Sequence, residues 1–361
     1  LIFLILSSLS GQINWYNTFG DSLEADDGWA IDNTLDGGYI LAGMAQYEAT
    51  LIKIDNEGNE IWSQIYQKGV DDCLKSVKQT SDGGYIAAGY FSDSTSWDYV
   101  AWIIKTDASG TIQWDQSYST NNRGNQAEDV IETSDGGFVY TGNRNNNGDN
   151  AKALLRKYSS DGTLLWSEQF SSSNYNEGIS LIETSDNNLV FVGFSGTSHG
   201  AYKHFMVKTD ANGIEIWKKR FGDNTQQSLN AVCEAPDGGY VATGYCNNYD
   251  NLYIVKYNIE GNQEWEKSYD ASESDDWDTD HGNDIIAANN GGYYILGSTN
   301  VYPGSTGQDD YWLIKTNNMG DTLWTEIIGG NWWDIGQSIL EIDNGDLVLF
   351  GWTYSYSTYP N

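Results

Sequence analysis

The densest run of chemistry-bearing side chains in this 361-residue sequence reads Asp275, Asp276, Trp277, Asp278, Thr279, Asp280 and His281. Asp276, Asp278 and Asp280 alternate, the spacing by which a loop wraps carboxylate oxygens around Ca2+. An EF-hand loop would place Gly sixth and Glu twelfth, where this chain has His281 and Ala287, so the likeness is to acidic-loop chemistry alone. Gln308, Asp309 and Asp310 form a second acidic group, and Trp97, Trp277, Trp332 and Trp333 fall in loops. A loop tryptophan beside carboxylates can stack under a sugar ring while the acids accept hydrogen bonds from its hydroxyls. The expected ligand contacts are therefore Trp277, Trp332, Trp333, Trp97, Asp309 and Asp310, with Asp276, Asp278 and Asp280 as candidate Ca2+ ligands. The plainer reading is an acidic loop that is only solvated and tryptophans that only pad the fold.

Other chemistries are poorly served. There is no nucleophile elbow, phosphate-cradling Gly loop or His-Glu-x-x-His, and His199, His204 and His281 have no matched nucleophile. Cys73, Cys233 and Cys246 show no disulfide framework or metal-ligand spacing. Carboxylate pairs for glycoside hydrolysis occur by number alone in a chain with 51 Asp+Glu. Those acids against 18 Lys+Arg give a net charge of -33, which argues against nucleic acid and anionic membrane surfaces as partners. With 14% aromatics the chain can still bury a core.

The elements that must position these residues come from an internal repeat. One phrase, as in Asp36–Gly43, Asp82–Gly89 and Asp135–Gly142, returns more loosely at Asp186, Asp237, Asn290 and Asn344, a period of about 51 residues. A second phrase carries Lys53, Lys105, Lys157, Lys208, Lys256 and Lys315, then a turn Gly, then a Trp four residues later. Each period reads as four strands, a to d: an a–b hairpin with a tight Gly turn, a c strand bearing the Lys and a d strand centred on the Trp. No segment keeps a 3.6-residue apolar period, so helical solenoids are poor candidates. The expected fold is an all-β, seven-bladed β-propeller of four-stranded blades, its ring closed by the N-terminal d strand joining the C-terminal a–b hairpin. On this reading residues 11–361 are one domain, likened to a ring whose seventh blade lacks a c strand that would begin near residue 361. Residues 1–10 read as the end of a signal peptide, with a c strand in register as the alternative because Leu6 stands where the Lys stands elsewhere.

The phrases Thr80–Gly89 and Lys105–Trp114 resemble the repeat of secreted β-propeller proteins from Bacteroidetes. That resemblance implies export, often through the type IX secretion system, and a secreted or cell-surface location. The turn-to-Trp element is also similar to the docking repeat of quinoprotein dehydrogenases, although the turn here is one residue shorter and adjacent cysteines are missing.

Loop lengths point to a working face. From turn residue to b-strand Gly is seven residues in every copy, and from c–d turn Gly to Trp is four. The b–c connection instead varies from 10 to 18 residues between Gly and Lys, and the d–a connection reaches 25 between Trp265 and Asn290. Function gathers on variable loops held by a rigid frame. The sequence thus predicts a monomeric, non-enzymatic binding module, with a glycan or extracellular protein on the variable face and no membrane insertion. A carbohydrate-active propeller enzyme is the alternative, and a quinoprotein-like one a distant third.

Overall fold

A computed structural model describes residues 2–7, 13–20, 26–93, 98–120, 124–144, 151–197, 201–223, 225–271, 279–300 and 308–355. Every described element is a strand except one 3-10 turn, Asn247–Tyr249. The strands form antiparallel four-stranded sheets, as in Asp72–Gln79, Tyr85–Ser92, Tyr99–Thr106 and Ile112–Tyr118, where sequence neighbours are sheet neighbours. The b and c strands are buried on both faces, which is why they are rich in apolar residues, whereas the outer d strand alternates towards solvent. The core lies between sheets. Ile40, Leu51 and Tyr66 of one blade pack on Leu74, Val77 and Trp102 of the next.

The two repeated phrases explain each other in three dimensions. Each c-strand lysine stands opposite a d-strand tryptophan, Lys53 on Trp62, Lys105 on Trp114 and so on to Lys315 on Trp324. The lysine ammonium turns back to the a–b turn, with Lys105 Nζ 3.0 Å from Asp82 and Lys208 Nζ 2.8 Å from Asp186. The tryptophan lies over the c–d turn Gly of the following blade, so a Cβ on Gly162 would come within 2.8 Å of Trp114. That Gly also has φ +83°, a conformation L side chains rarely adopt. The fixed spacing from Gly to Trp is thus a contact between blades.

The expected seven-bladed count and its closure are corrected. Six four-stranded blades, 26–66, 72–118, 127–170, 175–221, 228–269 and 280–328, are each built from consecutive strands. The strands left over form a closing sheet of different make-up, drawn from both ends of the chain: Ile13–Phe19, Ile2–Ser7, Leu347–Thr353 and Asp334–Glu341, in that order. The N-terminal d strand therefore does not meet the C-terminal hairpin, because Ile2–Ser7 lies between them. Leu6 pairs with Trp15 as the c-strand lysines pair with their tryptophans, so the stretch expected to end a signal peptide occupies the c position. The c position that the sequence reading left for a strand near residue 361 is held by Ile2–Ser7.

Candidate ligand site at the axial cavity

The a strands of all these sheets line an axial cavity of about 790 Å3. Each carries a β-bulge just after the residue paired with the b-strand Gly, and a bulge re-aims the side chain that it inserts. The bulged residues are Trp29, Lys75, Glu128, Ile179, Asn230, Asn283 and Gln337, and all of them line the cavity. Two stitch neighbouring blades, Asn230 donating to the Gly282 carbonyl (3.0 Å) and Asn283 to that of Gly336 (2.8 Å).

Three others, Trp29, Lys75 and Glu128, come together. Lys75 Nζ lies 2.7 Å from Glu128 and 3.2 Å from Gln126 Oε1, with the Trp29 ring 5.3 Å away. Glu177 hydrogen-bonds to Glu128 and accepts from Asn143 Nδ2 at 2.8 Å. Burial, then the neighbouring Glu128 charge, pushes the Glu177 carboxyl up to about 8. At neutral pH Glu177 is the protonated member and donates to Glu128, whose charge Lys75 neutralises. Burial opposes the Lys75 charge, but Glu128 holds its pKa above the ordinary value. The Trp29 indole N–H, buried beside this group, has no partner in the protein.

Towards the fixed turns the cavity is scaffold. Asp129 accepts from Ser76 Oγ (2.7 Å) and the Leu181 amide (2.8 Å), and Asp284 accepts from the Ile339 amide (2.9 Å), so these carboxylates tie blade to blade. Lys78, 3.7 Å from Asp32, sits among them.

Aromatic rings of the b strands stand near the Lys75–Glu128–Glu177 group, with Tyr90 5.8 Å from Lys75 Nζ. The residues following the b-strand glycines include Tyr90, Phe194, Tyr245 and Trp352. Tyr90 packs on Tyr99 with ring centroids 4.6 Å apart, Phe194 on Tyr202 at 4.5 Å, and Tyr245 on Tyr249 at 4.3 Å. His281 lies 5.2 Å from both Tyr245 and Tyr249. Asn247, Asn248 and Tyr249 are consecutive non-glycine residues with φ of 55°, 63° and 81°. Such backbone costs on the order of 1–3 kcal/mol per residue and gathers at functional sites. Here it is held by Asn248, whose amide donates to the Gln226 carbonyl (3.1 Å) and whose Oδ1 accepts the Gln226 amide (2.9 Å).

Among solved structures the chain is similar to β-propellers of several kinds. It matches the WD40 domain of Neurospora crassa Pan2 at TM-score 0.58 and 8% identity, over 100% of this chain and 97% of that one. A periplasmic gluconolactonase of Pseudomonas aeruginosa matches at TM-score 0.57 and 11% identity, over 92% and 98%. A catalytically inactive virginiamycin B lyase from Staphylococcus aureus, solved with quinupristin, matches at 0.54 and 12%, over 97% and 99%. No family model matches the chain, and no curated protein matches it in sequence. The fold is a β-propeller. It is shared by enzymes and WD40 domains alike, so the fold by itself fixes no activity.

The residues singled out in the sequence fall in three places. Trp332 and Trp333 are exposed, 54% and 44%, and Trp333 meets Tyr354 edge-on at 6.4 Å beside Trp352. Asp309 accepts from Thr279 Oγ1 at 3.0 Å, so the two acidic loops of the sixth blade do meet. Asp310 is buried, its carboxyl raised to about 7 by burial and by Asp334. Asp280 opens an a strand, fully buried, and its Oδ2 accepts the Ala271 amide at 2.9 Å. Asp72, Asn176 and Asp334 hold their own d–a loops the same way, which makes Asp280 a member of a repeated loop anchor. Trp97, Trp277, Asp276 and Asp278 lie outside the described residues. Among the described residues no three His, Cys, Asp or Glu side chains are grouped to hold a metal. Sequence reasoning passed over Lys75, Glu128, Glu177 and the b-strand aromatics. For Lys75, Glu128 and the aromatics the signal was variation at fixed repeat positions, the bulge and the residue after the b-strand Gly; Glu177, two residues before the bulged Ile179, stood at neither.

Proposed function

We propose that this propeller is a non-enzymatic binding module, exported or surface-held, that takes a glycan at the variable-face mouth of its axial cavity. The observation that carries this reading is the Lys75–Glu128–Glu177 group with the Tyr90 ring 5.8 Å from the Lys75 ammonium. A sugar hydroxyl both donates and accepts, and the group offers an ammonium, a carboxylate and a protonated carboxyl together, with ring faces for the apolar side of the sugar. Exposed Trp332 and Trp333 extend the platform along the same face. The glycosidase alternative needs carboxyls about 5–5.5 Å or about 6.5–9.5 Å apart. Glu128 and Glu177 are in hydrogen-bond contact, too close for either geometry. Export rests on the resemblance of the repeat and is tested by fractionating the source cells.

A glycan array followed by calorimetry tests the proposal. Binding of at least one glycan class, weakened tenfold or more by Lys75→Met and by Tyr245→Ala, is expected, with no turnover of the bound glycan. Hits unaffected by both substitutions would move the site elsewhere, and bond cleavage would make the protein an enzyme.

A further inference from the structure

A second cavity, about 440 Å3, lies between the fourth and fifth blades, away from the axis. Its wall includes His204, Asp223, Gln227, Cys246, Tyr253 and Glu266. His204 and Gln227 are only 1% and 3% exposed. His204 Nε2 lies 3.0 Å from the Tyr245 carbonyl, which can only accept, so Nε2 carries the ring proton and Nδ1 is a bare acceptor. Nδ1 has no partner in the protein. Gln227 donates through Nε2 to Asp223 at 2.5 Å, and its Oε1 likewise accepts nothing. Leaving two buried acceptors unmet is costly, so the protein gains when a donor reaches them.

Both residues depart from the repeat. Four residues before the c-strand lysine, other blades carry Ala49, Ala101, Ala153, Leu252 or Tyr311 where this one has His204. Gln227 occupies the loop-anchor place, where Asp72 accepts the Gly69 amide (2.9 Å) and Asp334 that of Gly330 (2.9 Å). Blade packing therefore does not call for either side chain. The surrounding charge is negative: Asp223 and Glu266 face the cavity, and the one cation in its wall, Lys267, is taken by Asp321 at 2.9 Å.

We propose that this crevice is a binding site for a small primary ammonium compound, its N–H groups donating to His204 Nδ1 and Gln227 Oε1 with Asp223 and Glu266 supplying the counter-charge. A metal ion fits less well, because these residues do not bring three metal-binding side chains together. Burial holds the imidazole pKa down at about 4, so the acceptor is present throughout the neutral range. The site is independent of the axial one.

Calorimetry with n-butylamine, n-butanol and Zn2+ on the intact chain tests it, with His204 15N shifts read by NMR. Saturable binding of n-butylamine is expected, at least tenfold tighter than n-butanol, with a shift at His204 Nδ1. His204→Phe and Gln227→Met should each weaken it tenfold or more, while Gln227→Glu, which keeps an acceptor and adds charge, should bind as well or better. Folding of each variant is checked by its melting transition, and the Nδ1 shift reads the site in the unaltered protein. Equal affinity for n-butanol, no shift at Nδ1, or His204-dependent binding of Zn2+ alone would each overturn the proposal.

Discussion

Two kinds of buried lysine–carboxylate contact occur in this molecule, and they behave oppositely. In five blades a c-strand lysine meets the Asp of the a–b turn, as Lys53 meets Asp36 and Lys157 meets Asp135. There the carboxyl titrates low; the Lys157 ammonium beside Asp135 brings it to about 2. At the axis Lys75 meets Glu128, and Glu177 beside that pair is driven the other way, to about 8. The first arrangement recurs with the repeat and saturates its own hydrogen bonds, so it is frame. The second keeps a titrating proton near neutrality beside the axial cavity, where Lys78 is likewise set among Asp32, Asp129 and Asp284, the last raised to about 6 by burial. In a repeat protein, departure from the repeat marks function better than the density of polar residues does.

Removing one lysine of each kind should separate the two roles most sharply. Lys105→Met takes donors from Asp82, the Thr106 carbonyl (2.9 Å) and Gln113 (3.3 Å), and should cost about 1–2 kcal/mol of stability, with ligand affinity unchanged. Lys75→Met should lose tenfold or more in glycan affinity with a smaller cost in stability, because the pair it breaks lines the axial cavity and not the contact between blades. Chemical denaturation and calorimetry on both variants check this. The reverse pattern would make Lys75 part of the frame.

Opposite pH limbs are expected next. A carboxyl raised in the folded state stabilises below its unfolded pKa, and that contribution is lost as pH rises through the folded value. Glu177 should therefore lose its contribution between about pH 4.5 and 8. Asp135, lowered to about 2, contributes above the ordinary carboxylate range and loses that as pH falls towards 2. In melting-temperature profiles Glu177→Gln should flatten the decline between about pH 4.5 and 8, and Asp135→Asn should flatten only the acid limb below the ordinary carboxylate range. Loss of the same limb in both variants would erase the distinction drawn here.

These contrasts also show what could be read from the chain. The repeated contacts were legible because each depends on residue type at fixed spacing: Lys opposite Trp, Trp over the turn Gly, Asp closing on Lys. The closing sheet was legible only in part: Leu6 in the lysine place offered the c strand as the alternative reading, while the apolar run around it reads first as a leader. The axial site was hidden for a different reason. A bulge changes which face an a-strand residue occupies, so simple alternation along Leu74, Lys75, Ser76 and Val77 does not reveal which side chains reach the cavity. The loop-anchor place of Asp280 was not read from the chain, because its acidic neighbours in sequence obscured its repeat position.

The sixth blade offers a milder test of the frame. Its turn has Asn290 where the others have Asp, and Lys315 donates instead to the Gly291 and Thr316 carbonyls, its pKa lowered by burial. Asn290→Asp should restore the missing partner and raise the melting temperature by about 1–2 °C, the return expected of one partly exposed pair. A fall would show that the carbonyl contacts already suffice.

The smallest effect is expected from calcium. If Asp276, Asp278 and Asp280 were to wrap an ion, Asp280 would have to contribute while its Oδ2 continues to accept the Ala271 amide. Only one of its oxygens could then ligate, which weakens an already short set of carboxylates. Titrating Ca2+ to millimolar concentration should raise the melting temperature by about 1 °C or less. A larger rise, abolished by Asp278→Asn and kept by Asp309→Asn, would make the acidic loop a second departure from the repeat with its own ligand. It would also move the working centre of the variable face from the axis out to the sixth blade.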